Sequence, residues 1–447
     1  MNKKFLGGLI AAVCIAAIIY VVITDNGFDD VRACSDWPMF QHDPQHSGFS
    51  DCDAPDSPSV AWKFKTNGEI YSSPVVADVV VFVGACNDGI YALNESNGEV
   101  MWRYEIESCI NSVPAVAYGM VFVGLSDGKI QALDELSGEL IWSFKANGSI
   151  GESSPTVSNG KVFIGVNDGK VYAINASDGE LLWSETICEF VEGVSASSYI
   201  EATPTASDGM IFITPRDYIS IFVLNESNGE LVPKYNNATS IQLYGPVYIK
   251  SSQVVDDECV LIAGPLLFAL NKSNGKSIWE SSVRLSKTID GWTTWISKSS
   301  PAAAYNKVFV GSASGNIYAF DRTTGKIVWE REMTIQLGKR EGPKPNQQPR
   351  PKSIDASPAI ADGKVFIVGG DMKFYALNES NGEIIWKYDL KSDSLFSPAI
   401  ANGKVFVATN DGTVYAFEER DNTLYYIIFL IIILLILGVI FIKYVRH

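Results

Sequence analysis

Apolar positions in this chain fall into short runs broken by Asn-Gly and Asp-Gly pairs. Some runs are continuous over four or five residues, and others alternate with polar positions, the period of a half-buried strand. Residues 153–184, SSPTVSNGKVFIGVNDGKVYAINASDGELLWS, show the unit most clearly. The first strand follows a Ser-Pro or Thr-Pro pair. The second is an apolar run such as Val162-Phe163-Ile164-Gly165. The third alternates, as in Val171-Tyr172-Ala173-Ile174, and the fourth ends on a tryptophan, here Trp183. A unit of four short strands returning about every 40 residues is the pattern of a β-propeller blade.

The copies can be counted. Prolines that open a first strand stand at Pro74, Pro114, Pro155, Pro204, Pro246, Pro301, Pro358 and Pro398. Tryptophans that close a fourth strand stand at Trp102, Trp142, Trp183, Trp279, Trp329 and Trp386. Pro233 occupies the tryptophan position of the fourth copy, which predicts an irregular outer strand there. The eighth copy stops after its third strand, while Val60-Ala61-Trp62-Lys63-Phe64 reads as a fourth strand with no blade before it. Pairing these two ends closes the ring and removes open sheet edges. The expected fold is all-β, an eight-bladed propeller over residues 60–420 behind a lead-in at 25–59.

The third-to-fourth strand segments read ALNESNGEVMW (92–102), ALDELSGELIW (132–142), AINASDGELLW (173–183), AFDRTTGKIVW (319–329) and ALNESNGEIIW (376–386). They resemble the pyrroloquinoline-quinone-type propeller repeat, A-L-(N/D)-x-x-(T/N)-G-x-x-x-W. DWPMFQHDPQHSGFS (36–50) is similar to the lead-in of that family. The resemblance spans residues 37–417. It implies a quinoprotein-like propeller, in a family that holds both alcohol dehydrogenases and non-catalytic scaffolds such as the propeller lipoprotein of the outer-membrane barrel-assembly machinery. In such a repeat glycine permits the left-handed turn, and Trp62, Trp102, Trp142, Trp183, Trp279, Trp329 and Trp386 are expected to dock between blades.

Residues 5–23 are an apolar run behind Lys3 and Lys4, a signal peptide or uncleaved signal anchor within residues 1–24, with the anchor favoured. Residues 425–442 are a second run, inside an expected transmembrane helix at 424–443. A short tail, 444–447, follows. Lysine and arginine flank the outer side of both runs, which predicts a cytoplasmic C-terminus and an extracytoplasmic propeller at the cell membrane. The formal net charge of −16 argues against nucleic acid as a partner. Cys34, Cys52, Cys86 and Cys109 are candidates for disulfides outside the cell, and Cys188 and Cys259 are left unpaired. Glycosylation sequons occur at Asn94, Asn147, Asn175, Asn225, Asn237, Asn271 and Asn378. Most lie between third and fourth strands, where asparagine also suits the turn itself.

Strand order assigns the second-to-third turns and the blade-to-blade crossovers to one face. The long insertions 187–202, 281–299 and 332–356 all fall on it, which marks it as the candidate face for a protein or glycan partner. Lys339, Arg340, Lys344, Arg350 and Lys352 form a basic, proline-rich stretch there. Trp292 and Trp295 are candidates for stacking on a sugar or clamping a peptide. Arg216-Asp217-Tyr218 reads as a structural turn.

The resemblance raises a quinone-dependent dehydrogenase using pyrroloquinoline quinone and calcium. Its adjacent cysteines are absent, and no aspartate pair matches its calcium and base positions. His42 and His46 have a spacing suited to a metal only in a helix, which Pro44 disfavours. Asp88, Asp127, Asp168 and Asp411 sit in Asp-Gly turns with too few oxygens each for calcium. The sequence therefore predicts a membrane-anchored binding scaffold without catalytic residues. A quinoprotein dehydrogenase and a carbohydrate- or envelope-binding module are the alternatives.

Overall fold

The computed structural model describes residues 36–187, 199–216, 221–232, 250–289, 293–295, 297–333 and 353–420, with Ile432, Ile433 and Gly438. Cys34–Glu418 form one compact unit. It is an eight-bladed, all-β propeller. Six blades are antiparallel sheets of four consecutive strands, for example Val75–Ala77, Val80–Ala85, Gly89–Asn94 and Val100–Tyr104 in the first. The eighth contains Ala399–Ala401, Lys404–Ala408 and Thr413–Glu418, and its outer strand is Ser59–Lys65 from the other end of the unit. Trp62 lies opposite Ala416 in that pairing.

The fourth blade has three strands among the described residues, Thr205–Ser207, Met210–Ile213 and Phe222–Asn225. An isolated bridge, Leu224 to Leu231, continues it to the end of the described stretch at Val232. The fifth blade corrects the sequence reading. Its inner strand is Val254–Val255 rather than one opened by Pro246, and Gln253 holds the proline position. The Gln253 side chain is buried and donates to the Phe212 and Thr203 carbonyls of the fourth blade. The insertion between blades five and six contains a hairpin, Lys287–Ile289 with Thr293–Trp295.

One packing rule runs round the ring. In six of the eight blades a fully buried phenylalanine of the second strand lies beside the tryptophan of the same blade. Phe82–Trp102, Phe122–Trp142, Phe309–Trp329 and Phe366–Trp386 have centroids 5.8 Å apart, and Phe163–Trp183 5.9 Å. Phe406–Trp62 repeats this at 5.9 Å in the blade built from both ends. Each indole then crosses to the next blade. The Trp102 Nε1–H donates to the Glu135 carbonyl (2.8 Å), Trp142 to Ala176 (2.9 Å) and Trp329 to Glu379 (2.8 Å). The ring lies on the turn glycine of that blade. At Gly138 (φ +72°) an added Cβ would come within 2.5 Å of Trp102. Trp386 donates instead to the Pro55 carbonyl, because the eighth blade has no third-to-fourth turn of its own. The outer strands bulge just before the tryptophan, as at Met101 opposite Ala92 and Leu93. The bulge turns the indole inward and leaves Val100 and Met101 about half exposed.

Val79 departs from the pattern of the first-to-second strand turns. It has φ +60°, where Gly119, Gly160, Gly209, Gly363 and Gly403 stand in other blades. A β-branched residue there is strained by about 1–2 kcal/mol, and glycine costs part of that in chain entropy. Val79→Gly is expected to stabilise the protein by about 1 kcal/mol, read as a higher urea midpoint. An unchanged or lower midpoint would show the turn to be relaxed.

Among the described residues no helix is long and apolar enough to cross a membrane. The expected terminal helices therefore gain no support. Both apolar runs lie outside the described residues except Ile432, Ile433 and Gly438, which are helical.

Candidate functional site

Two stacked rings line the axis on the crossover face, each with one residue per blade at a fixed offset before the first strand. The inner ring is Ser73, Val113, Ser154, Thr203, Ser252, Ser300, Ser357 and Ser397. Backbone N–H groups donate to the hydroxyl of the next blade, from Val113 to Ser154 (2.9 Å), Ser154 to Thr203 (3.1 Å) and Thr203 to Ser252 (2.9 Å). The chain continues from Ser252 to Ser300 (2.8 Å), Ser300 to Ser357 (2.9 Å), Ser357 to Ser397 (3.1 Å) and Ser397 to Ser73 (2.9 Å). Only Val113 offers no hydroxyl, so the seam between blades one and two lacks this link.

The outer ring sits two residues earlier: Tyr71, Asn111, Glu152, Glu201, Lys250, Lys298, Asp355 and Leu395. Together the rings bound a cavity of about 380 Å³. Its charge is sorted by blade, acidic on blades three and four, basic on five and six, acidic again on seven. The charges are wired to one another. Glu152 takes Lys298 (2.5 Å) and Lys250 (3.5 Å), and Glu201 takes Lys250 and Arg216 (both 3.0 Å). Burial alone would raise Glu152, but the two ammonium groups hold its carboxyl below the ordinary value. Burial pushes Asp355 up, against a hydrogen bond from the Lys298 backbone N–H.

The lead-in lies across the inner strands. Its backbone meets Val76, Val116, Ala206, Val255, Ala303 and Ile360 through Trp37, Pro38, Pro44, Gln45, Ser47 and Gly48. His46 is fully buried, with Nδ1 2.9 Å from the Thr205 hydroxyl and Nε2 3.4 Å from that of Thr156. Both ring nitrogens face protein hydroxyls, a structural arrangement rather than a metal site. His42 Nδ1 lies 3.3 Å from Asp43.

Of the residues singled out from the sequence, Trp292, Lys339, Arg340, Lys344, Arg350, Lys352 and Asn237 lie outside the described residues, as do Asp217 and Tyr218. Trp295 pairs with Lys287 in the inserted hairpin. Asn94, Asn175, Asn225, Asn271 and Asn378 each accept the N–H and hydroxyl of the serine two positions on. Asp134 and Asp321 act alike in their own turns, so turn formation accounts for these side chains. Asn147 is exposed. Cys86 and Cys109 form a disulfide, Cys52 is also disulfide-bonded, and Cys259 is a buried free thiol raised to about 12 by burial and by Asp256. The cavity charges were missed because their residue type changes from copy to copy; their constant distance ahead of the Ser-Pro pair was the available signal.

Among curated proteins, the chain is 27% identical over 201 residues to the outer membrane protein assembly factor BamB of Yersinia pestis, covering 44% of this chain and 45% of that protein. It is 31% identical over 127 residues to quinoprotein alcohol dehydrogenase PedH of Pseudomonas putida, 27% of this chain and 19% of that one. The chain thus spans less than half the length of these relatives. Of solved structures, BamB from Moraxella catarrhalis superposes with TM-score 0.61 at 18% identity, covering 80% of this chain and 99% of that one. Quinohemoprotein alcohol dehydrogenase from Comamonas testosteroni does so with TM-score 0.66 at 15% identity, covering 91% and 84%. At these identities the structures speak for the fold alone. The family model described as outer membrane protein assembly factor BamB matches residues 52–198, 126–337 and 313–425, and the chain belongs to that family.

Proposed function

We propose that the chain is a non-catalytic binding propeller, held at a membrane by its terminal apolar runs, with the crossover face turned to a protein partner. The carrying observation is the self-neutralised axial cavity within a BamB-family ring. Among the described residues, Lys250 and Lys298 are the cations lining the cavity that would meet an anionic cofactor, and both are already paired with Glu152 or Glu201, which Arg216 also neutralises. Among the described residues that line the cavity there is no tryptophan to serve as the stacking platform expected under a quinone. Among the described residues no group of three or more His, Cys, Asp or Glu is arranged to hold a metal ion. The described side chains thus give pyrroloquinoline quinone and calcium little support. The opposite face, with the Asn94-type turns, is proposed to point away from the partner, whether or not glycans are attached there.

A quinoprotein oxidoreductase is the second reading. It is favoured by relatives such as PedH and by the polar, carboxylate-bearing character of the cavity. The full-length chain separates the two. Photo-cross-linkers at Asn111 and Leu395 should capture one discrete partner in native membranes. Linkers at Asn94 and Asn378 should not, and Lys250→Glu with Lys298→Glu should abolish capture. In parallel, titration with pyrroloquinoline quinone and calcium should leave tryptophan fluorescence unsaturated at high micromolar cofactor. Tight, calcium-dependent, saturable quenching would replace the scaffold with the oxidoreductase.

A further inference from the structure

Six seams of the ring pair opposite charges, one is uncharged and one sets like charges together. The residue after the Asn or Asp that begins each third-to-fourth turn is packed against the first-to-second turn of the preceding blade. Glu95 takes Asn402 (3.0 Å) and Lys404 (3.4 Å) of blade eight. Glu226 takes Asn159 (3.0 Å) and Lys161 (3.3 Å), and Glu379 takes Lys307 (2.8 Å). Two seams reverse the signs, with Lys272 on Asp208 (2.6 Å) and Arg322 on Asp256 (2.8 Å). Lys364 meets Asp56 of the lead-in (2.9 Å). The seam between blades two and three is uncharged, Ala176 standing at the position.

Between blades one and two an acid meets an acid. Glu135 is 6% exposed and faces Asp78, with Val80 where Lys161, Lys307 and Lys404 stand elsewhere. Glu135 Oε1 is buried without a hydrogen-bond partner. From the lead-in, the Asp36 carboxylate accepts the Asp78 backbone N–H. Asp134, on the same turn as Glu135, and His42, on the lead-in with Asp36, are further ionisable groups that act on Glu135 and Asp36 respectively. Glu95 is turned to the neighbouring seam. This same seam lacks the axial hydroxyl link, because Val113 replaces a serine, and it carries the strained Val79 turn. Three independent departures thus coincide at one of eight seams.

We propose that this seam is a proton-operated latch: the buried Glu135 keeps its proton while it faces Asp78 across the closed seam, and release of that proton leaves a bare carboxylate beside Asp78 and Asp36 that loosens the seam and the entry of the lead-in. Burial, then the charges of Asp78 and Asp36, push Glu135 up to about 7, and burial raises Asp36 also. The sign follows. The closed seam holds the proton up to about pH 7, whereas an opened seam gives Glu135 its ordinary value near 4.5. Opening therefore releases a proton between those limits, and the opening equilibrium rises up to tenfold per pH unit until it levels off near pH 7.

Amide hydrogen exchange on the full-length chain, in EDTA from pH 5 to 8.5 and corrected for the intrinsic rate, reads this directly. Peptides carrying Asp78 and Glu135 should lose protection as pH rises to 7 and then plateau, while the Glu226 peptide shows no such step. Glu135→Gln should abolish the step, and Asp78→Asn, which restores the residue type of the Glu95 and Glu226 seams, should shrink it and move it to lower pH. Asp78→Asn carries the test alone if Glu135→Gln fails to fold. Absence of a step in the natural chain, or a step that Asp78→Asn leaves unchanged, overturns the latch.

Discussion

Replacing Trp62 with alanine will lower the stability of the propeller by about 3–5 kcal/mol, the range for truncating a buried tryptophan. Trp62 belongs to the strand that closes the ring and serves two blades. It is 7% exposed and packs on Phe406 of blade eight. Its Nε1–H donates to the Glu95 carbonyl of blade one (2.7 Å), and its ring lies on Gly98, where an added Cβ would come within 2.5 Å. Truncation empties both contacts at the one blade whose strands are not consecutive. The urea midpoint should fall at least as far as for Trp142→Ala at an interior seam. Hydrogen exchange in Thr413–Glu418 should rise more than in any other third strand. A loss below about 1 kcal/mol would mean that Ser59–Lys65 contributes little to closure.

Acid will destabilise the ring through His46. Burial holds its imidazole down to about 4, against the opposing charge of Asp43, from an ordinary value of 6.5. A histidine depressed in the folded state contributes stability that is present above 6.5 and lost as pH falls from there through about 4. At 1.36 kcal/mol per unit the loss is about 3 kcal/mol. The cause is geometric: protonation gives the ring two donors and a charge at a dry site between blades three and four. The drop in unfolding free energy from pH 7 to pH 4, read from urea titrations, should shrink by that amount in His46→Gln. An equal drop in both proteins would assign acid sensitivity to the carboxylates alone. Glu135 has the opposite slope, so the first seam tightens in the acid range where the lead-in plug fails.

Blade number and ring closure were readable because proline and tryptophan recur at fixed spacing, and because an orphan strand at Val60 matches a missing one after Phe417. The fifth blade misled because Gln253 carries none of the punctuation of proline, and Pro246, seven residues earlier, does. The cavity was hidden for a related reason. Tyr71, Asn111, Glu152, Glu201, Lys250, Lys298, Asp355 and Leu395 share an offset but no chemistry, so searching by residue type passes over them. The Asp78–Glu135 clash lies one step deeper. Neither turn is unusual alone; the mismatch exists only when the turn of one copy is set against that of the next, a pairing made by packing and not by sequence proximity.

Closure by Ser59–Lys65 also sets a clock. Lys65 lies opposite Thr413, 348 residues later. At about 5–20 residues per second of synthesis, roughly 17–70 s separate the appearance of the two partners. Through that interval the first strand made has no mate, and the nascent arc of finished blades presents a bare sheet edge to its surroundings. A ring of this kind becomes whole only when nearly all of it has emerged, so its newborn chain needs protection for most of its time in production.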